Sequence, residues 1–236
     1  MQEPNESHRR QFVNFGFFRV APEWRRLSLR EREEHRREFA EVITRWQVAD
    51  TMKVLPYSTV GLRADADFML WRICFSLDCL QEMSAELLRT QLGSYLTLSR
   101  SLLGMTRHSQ YAIGQDTTVD RALRGVIRPG GHRYLFVYPL VRTRAWYVLP
   151  FEERRRMVNE LVKLSSEFSN TRLNAIYSFG IDEQDFIIAV ETDHPDEYQD
   201  RMMDAKEIDI SPYTERDQPK LTCIRTTVGE MLERIG

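Results

Sequence analysis

The sequence contains few of the residues that define several common kinds of fold and site. Its 236 residues include only three cysteines, Cys74, Cys79 and Cys223, and they form no CxxC pair. Free thiols of a reducing compartment fit this pattern better than a disulfide framework. No run of about 18 apolar residues occurs, and residues 1–10 are polar, without an apolar secretory core. We therefore expect a cytoplasmic protein that does not insert into membranes.

Lysine is scarce as well, since the 33 basic residues comprise four lysines and 29 arginines. A net charge of −2 provides no overall field for nucleic acid, so no nucleic-acid partner is expected. Coding bias explains the arginine excess, and a preference for bidentate anion binding is the alternative. Gly-rich phosphate loops, nucleophile elbows and zinc signatures are absent. We assign no metal-binding residues.

Two segments of the chain repeat one pattern about 120 residues apart. Residues 57–68 read YSTVGLRADADF, and residues 177–186 read YSFGIDEQDF. In each, an acidic turn containing glycine joins two apolar runs with the composition of strands. A repeat of this length indicates two copies of one structural unit, because solenoid periods are only about 20–50 residues.

The periodicity around each repeat predicts the order β-α-β-β-α, which is a ferredoxin-like unit without its last strand. In the first copy, residues near 108–113 are candidates for that strand. In the second, residues 221–225 are candidates, and a short helix follows. The prediction is an α+β fold, a tandem ferredoxin-like repeat that forms a dimeric α+β barrel within one chain. Its predicted parts are an N-terminal half at 12–113, a connector at 114–133, a C-terminal half at 134–226 and a tail helix at 227–236.

Several segments in the second half resemble the chlorite dismutase-like family. They are Tyr134–Arg142 (YLFVYPLVR), Trp146 with Tyr147, residues 153–160, residues 180–186 and Tyr213. The family includes haem-dependent chlorite dismutases and coproheme decarboxylases. The resemblance implies the tandem barrel, a haem in the C-terminal half and assembly into rings, commonly pentamers.

The resemblance also identifies the position of the proximal iron ligand. In the family a histidine follows Met-x-Glu on the helix after the Trp-Tyr segment, whereas here residues 159–161 read Asn-Glu-Leu. Leu161 therefore stands at the ligand position, and its side chain has no lone pair to bind iron. Met157 lies one turn back on the same helix face, whereas Lys163 points away from it.

On the distal side, chlorite dismutases carry an arginine and many coproheme decarboxylases a glutamine. The family carries this distal residue on the strand that is predicted here to begin at Arg172. The loop before that strand is one residue shorter than in the family, so the matching residue is either Leu173 or Asn174. Neither is an arginine. Chlorite dismutation is therefore not expected.

The resemblance implies that the remaining candidate residues lie beside the porphyrin. Tyr138 corresponds to the redox-active tyrosine of coproheme decarboxylases and is the candidate catalytic residue. Arg142 corresponds to a lysine that holds propionates, and it shares a strand face with Tyr138. Further candidate cofactor contacts are Trp146 and the connector arginines Arg124 and Arg128. A plain solvated connector is the alternative interpretation of the last two.

Two functional hypotheses follow. The first is a haem- or porphyrin-binding oxidoreductase, similar to a coproheme decarboxylase or peroxidase, in which iron ligation is weakened or lost. Its cofactor would be haem b or iron coproporphyrin. The second is a haem-free family member, without a cofactor, that acts as a ligand-binding or assembly protein. Both predict a tetrapyrrole or other small-molecule ligand and self-association, with a homo-pentamer favoured by the resemblance.

Overall fold

The computed structural model describes residues 10–49, 51–111, 126–168 and 170–236. These divide into two compact units. The first comprises Met1–Leu103 together with Thr222–Gly236, and the second comprises Gly104–Leu221. Among the helices described, none combines the length and the apolar character needed to cross a membrane.

The first unit has the predicted β-α-β-β-α order, followed by a strand. Strand β3 lies in the middle and pairs antiparallel with both β1 and β2. The elements are β1 (Phe12–Val20), α1 (Leu29–Val48), β2 (Met52–Ser58), β3 (Phe68–Cys74), α2 (Leu77–Arg89) and β4 (Leu96–Met105).

Helix α1 begins at a capping box, which explains why so highly charged a segment starts there. The Ser28 hydroxyl accepts a hydrogen bond from the Glu31 N–H at 3.3 Å, and the Glu31 carboxylate accepts one from the Ser28 N–H at 2.9 Å. The helix buries Phe39, Val42 and Ile43 in a large apolar core. Its charged residues are thereby left on the outer face.

The second unit repeats this order. Strand β7 is central and pairs antiparallel with β5 and β6, and β8 pairs with the end of β5. The elements are β5 (Tyr134–Arg142), α3 (Arg144–Val148), α4 (Phe151–Glu167), β6 (Thr171–Tyr177), β7 (Phe186–Thr192), α5 (Pro195–Asp204) and β8 (Thr214–Arg216). The short helix α3 and the short strand β8 were not predicted.

The two acidic turns have the same geometry. Gly61 and Gly180 adopt positive φ angles of 76° and 68°, a conformation that glycine enters without steric cost. Each turn joins the two strands of an antiparallel hairpin. The doubled hairpin and the α+β class are confirmed.

The chain end differs from the sequence-based division. Strand β9 (Leu221–Arg225) pairs with β2, at Tyr57↔Arg225. Helix α6 (Val228–Arg234) buries Met231 and Leu232 in the core of the first unit. Residues 222–236 therefore group with the first unit, whereas the sequence predicted a C-terminal half to residue 226 and a tail helix from residue 227.

The strand predicted near residues 108–113 is wrong for the described part of that segment. Strand β4 lies earlier, at Leu96–Met105, and His108–Tyr111 is not a strand. Ser94 and Tyr95 end a short 3-10 turn, from which the chain enters β4 directly. Most of the predicted connector, residues 114–125, lies outside the described residues.

Candidate cofactor site

A cavity of about 530 Å³ lies within the second unit. Its lining comes from α4, from β5, β6 and β7, and from the segments beside Arg107 and His132. Most of these side chains are apolar or aromatic, including Leu161, Leu173 and Phe186. Such a volume and lining are typical of a pocket for a small organic molecule or cofactor.

The charged side chains that line the cavity are arginines. Arg107, Arg142, Arg154 and Arg172 all contribute to the lining, and among the residues described there, none is a carboxylate. Arg154 donates to the Tyr111 hydroxyl at 3.2 Å, while its Nε is buried without a hydrogen bond. Arginine remains charged in proteins, so this cavity favours an anionic ligand.

The proximal candidate, Leu161, lies on α4 and lines the cavity. Helix α4 follows Pro150 and carries Glu152 and Glu153 in its first turn, where acidic side chains are favourable. Met157, one turn before Leu161, is buried in a cluster with Trp146 and is absent from the cavity lining. The exposed Lys163 is also absent from it. Of Met157, Leu161 and Lys163, Leu161 is the one that lines the cavity.

The register of β6 separates the two distal candidates. Leu173 lines the cavity, whereas Asn174 is buried on the other strand face. The Asn174 amide donates to the Ala189 carbonyl at 3.3 Å and to the Glu191 carboxylate at 3.0 Å. Of these two candidates, Leu173 is therefore the one that meets the cavity.

Tyr138 lies outside the lining of the larger cavity. It is buried beside a smaller cavity of about 100 Å³. Its hydroxyl contacts the Met202 sulfur at 4.0 Å, and the Lys220 Nζ stands 4.1 Å from the centre of its ring. Burial raises the pKa of Tyr138 to about 12, so the phenol is neutral at physiological pH.

Arg142 lines both cavities. Its Nη1 donates to the Thr214 hydroxyl at 2.8 Å and to the Ile210 carbonyl at 3.3 Å. The guanidinium lies 5.4 Å from the ring centre of Trp146, which is itself buried and lines the larger cavity. Burial lowers the pKa of Arg142. Arg142 therefore lies against Trp146 and shares the lining of the smaller cavity with Tyr138.

The residues of the predicted connector differ in their positions relative to the cavities. Arg124 lies outside the described residues. Arg128 is described, is exposed and lines neither cavity. His132, which falls within the predicted connector, lines the larger cavity, and its Nδ1 lies 2.9 Å from the Asp193 carboxylate.

Sequence reasoning missed two arginines, the half-buried Arg154 and the buried Arg201. Arg201 lines the smaller cavity and is 4% exposed. A signal was present, because Tyr198 and Arg201 are three residues apart and share one face of α5, and Tyr198 is buried too. This spacing was overlooked because α5 contains many other charged residues.

The fold and this cavity define an α+β protein with an arginine-rich ligand pocket in its second unit. A family model described as chlorite dismutase matches residues 32–226. The chain is 31% identical over 180 residues to a coproheme decarboxylase of Mycolicibacterium smegmatis, covering 76% of this chain and 75% of that protein. It is 24% identical over 206 residues to a chlorite dismutase of Ideonella dechloratans, covering 86% and 71%. The chain belongs to the chlorite dismutase family.

Solved structures show the same fold. A chlorite dismutase from Candidatus Nitrospira defluvii, solved in complex with imidazole, superposes with a TM-score of 0.86 at 22% identity, covering 98% of this chain and 96% of that one. A haem-binding protein from Thermus thermophilus gives a TM-score of 0.84 at 18% identity, covering 95% and 94%.

Proposed function

We propose that this protein binds haem or a related porphyrin in the larger cavity. The observation that carries the proposal is the lining itself, which combines apolar and aromatic walls with four arginines and, among the residues described there, no carboxylate. A porphyrin is a flat apolar ring with anionic propionates, so it matches both properties. The relatives named coproheme decarboxylase and haem-binding protein support the same ligand class.

The cavity residues suit the carboxylates of such a ligand better than they suit its iron. Arg142 and Arg154 are placed to pair with carboxylates, because each lines the cavity and neither forms an ion pair within the described structure. If iron were bound, Leu161, at the position that the resemblance gives to the proximal histidine, would offer it no lone pair. Weak or absent iron ligation follows, and we assign no reaction step that depends on the iron.

Haem iron supplies one-electron chemistry when it is bound. For such chemistry the chain offers Tyr138 as an oxidisable side chain close to Arg142. Its phenol is neutral and lacks a strong hydrogen-bond acceptor, since its described contact is with the Met202 sulfur. We propose that any decarboxylase- or peroxidase-like activity depends on this tyrosine. Chlorite decomposition is expected to be negligible, because the cavity presents Leu173 where those enzymes carry arginine.

The second hypothesis, a haem-free ligand-binding or assembly protein, is favoured by Leu161 specifically. Titration of the purified protein with haem and with iron coproporphyrin, followed by absorption spectroscopy, separates the two hypotheses. We expect saturable binding with a spectrum unlike that of a histidine-ligated haem. No binding of either porphyrin would favour the haem-free hypothesis. A tight, histidine-ligated spectrum would show that another histidine, such as His132, reaches the iron.

Two variants test the assigned roles. Arg142→Ala is expected to weaken porphyrin binding by about 1–3 kcal/mol, the loss typical of a charged hydrogen bond. Tyr138→Phe is expected to abolish decarboxylation of iron coproporphyrin even when the protein is saturated with it. Undiminished decarboxylation by Tyr138→Phe would refute the assigned role.

We also propose that the protein is cytoplasmic and forms a closed homo-oligomer, with a pentamer favoured by the family resemblance. Light scattering across micromolar concentrations tests the assembly, and a clean monomer throughout would contradict it.

A further inference from the structure

The smaller cavity beside Tyr138 differs from the larger cavity in size and in the residues that line it. At about 100 Å³ it is too small for a tetrapyrrole, because pockets for such ligands span roughly 300–1,000 Å³. It shares several lining residues with the larger cavity, so the two adjoin. The shared residues are Leu140, Arg142, Leu161, Leu173, Ile188 and Ile210.

Arg201 is a buried cation in this cavity without a carboxylate partner in the described structure. Its Nη2 donates to the Ser165 hydroxyl at 2.7 Å, while its Nε is buried and makes no hydrogen bond. The side chain is 4% exposed. Burying a charge is strongly unfavourable unless a counter-charge and hydrogen bonds compensate for it. This arginine lacks the counter-charge.

The other charged groups of the cavity do not supply it. Asp217 also lines the cavity, but it pairs with Lys206 at 3.2 Å and Lys220 at 3.0 Å. Arg142 adds a further guanidinium whose described side-chain hydrogen bonds go to neutral oxygens. The cavity as a whole therefore carries an excess of positive charge.

The cavity also provides a neutral donor. The Tyr138 hydroxyl lines it, and its described hydrogen-bond contact is the weak one with sulfur. A phenol proton and guanidinium N–H groups together can satisfy both oxygens of a carboxylate. Such a group fits the volume, since a single water needs only about 10–15 Å³ of the same kind of space.

We propose that the smaller cavity is a carboxylate-binding subsite in which Arg201 is the principal charge partner, assisted by Arg142 and Tyr138. Resting on the proposed function, we further infer that it receives one carboxylate arm of the tetrapyrrole whose ring lies in the larger cavity. The shared boundary at Leu161 and Leu173 lets one ligand extend into both.

Metal-free coproporphyrin is the probe that tests this, because its binding does not depend on iron ligation. Fluorescence titration compares wild type, Arg201→Met and Arg201→Gln, with Arg156→Met as the matched control. Arg156 is exposed on α4, outside both cavities. We expect either Arg201 variant to weaken binding about 10- to 100-fold, and Arg156→Met to leave it unchanged. The methyl ester of the same porphyrin should bind all four proteins alike.

The possible results distinguish a failure of the subsite proposal from a failure of the proposed function. Equal affinity of wild type and both Arg201 variants for the free acid would overturn the subsite and leave porphyrin binding standing. If wild type binds no porphyrin, the proposed function fails, and formate alone then tests the subsite. Thermal stabilisation of wild type by formate, lost in Arg201→Met, would identify a site for small free carboxylates. No stabilisation of wild type by formate would overturn the subsite as well.

Discussion

Replacing Arg201 with methionine is expected to stabilise the ligand-free protein. The substitution removes a buried charge that has no carboxylate partner in the described structure. It leaves no unsatisfied donor behind, because the Ser165 hydroxyl that accepts from Arg201 also donates to the Leu161 carbonyl at 2.7 Å. Helix α5 is not weakened, since arginine and methionine have similar helix propensities.

The magnitude follows from the environment of the guanidinium. Replacing buried ionic groups with apolar residues of similar size stabilises proteins by about 1–4 kcal/mol in favourable cases. One hydrogen bond, to Ser165, is lost and offsets about 1 kcal/mol of this. We therefore expect a net gain of up to about 3 kcal/mol. For a chain of this size each kcal/mol raises the melting temperature by roughly 2–4 °C.

Calorimetry and urea denaturation of the ligand-free protein measure this gain, with Arg156→Met as the control. The pair between Arg156 and Asp209 is exposed, so its loss is expected to leave the stability essentially unchanged. A stability loss in Arg201→Met relative to this control would refute the reasoning. It would mean that the charge of Arg201 is already compensated in the ligand-free protein.

Three further predictions concern single residues. Leu161→His should give bound haem the absorption spectrum of a histidine-ligated iron; an unchanged spectrum relative to wild type would show that residue 161 is not the proximal position. Because burial raises the pKa of Tyr138 to about 12, its contribution to stability should be complete below pH of about 10 and lost as the pH rises through about 12. Ultraviolet titration of wild type against Tyr138→Phe tests this, and a phenol that ionises near pH 10 would contradict it. Glu191→Gln should lower the free energy of unfolding by about 1–3 kcal/mol, because the fully buried carboxylate accepts from the N–H groups of Gly130 at 2.8 Å and Gly131 at 3.2 Å. Urea denaturation measures it, and unchanged stability would show that the charge of Glu191 adds nothing to these hydrogen bonds.

Local features of the fold were predictable from the sequence. The hairpins follow from alternating apolar runs around a glycine turn, and α1 from its capping box and apolar spacing. The partner of β9 was not predictable in this way, because strand pairing between distant segments is not encoded in local periodicity. β9 begins at Leu221, yet it pairs with β2, which ends at Ser58.

The candidate site was predictable where a motif fixes a position, and not where packing decides. Leu161, Arg142 and Trp146 were found by motif and do line the cavity. The choice between Leu173 and Asn174 needed the strand register, because a one-residue gap reverses the face of every side chain. Arg201 needed the tertiary structure, because only packing of α5 distinguishes a buried arginine from a solvated one.

The two copies of the repeated unit bury their long helices very differently. Helix α1 sends Phe39, Val42 and Ile43 into its core, whereas Met157 is the one buried residue in the 17 residues of α4. Helices with few buried contacts open locally at lower free energy than the rest of a protein. Amide hydrogens of α4 should therefore exchange with solvent faster than those of α1. A ligand that fills the cavity would supply the missing contacts, so that ligand entry and the ordering of α4 become one coupled equilibrium.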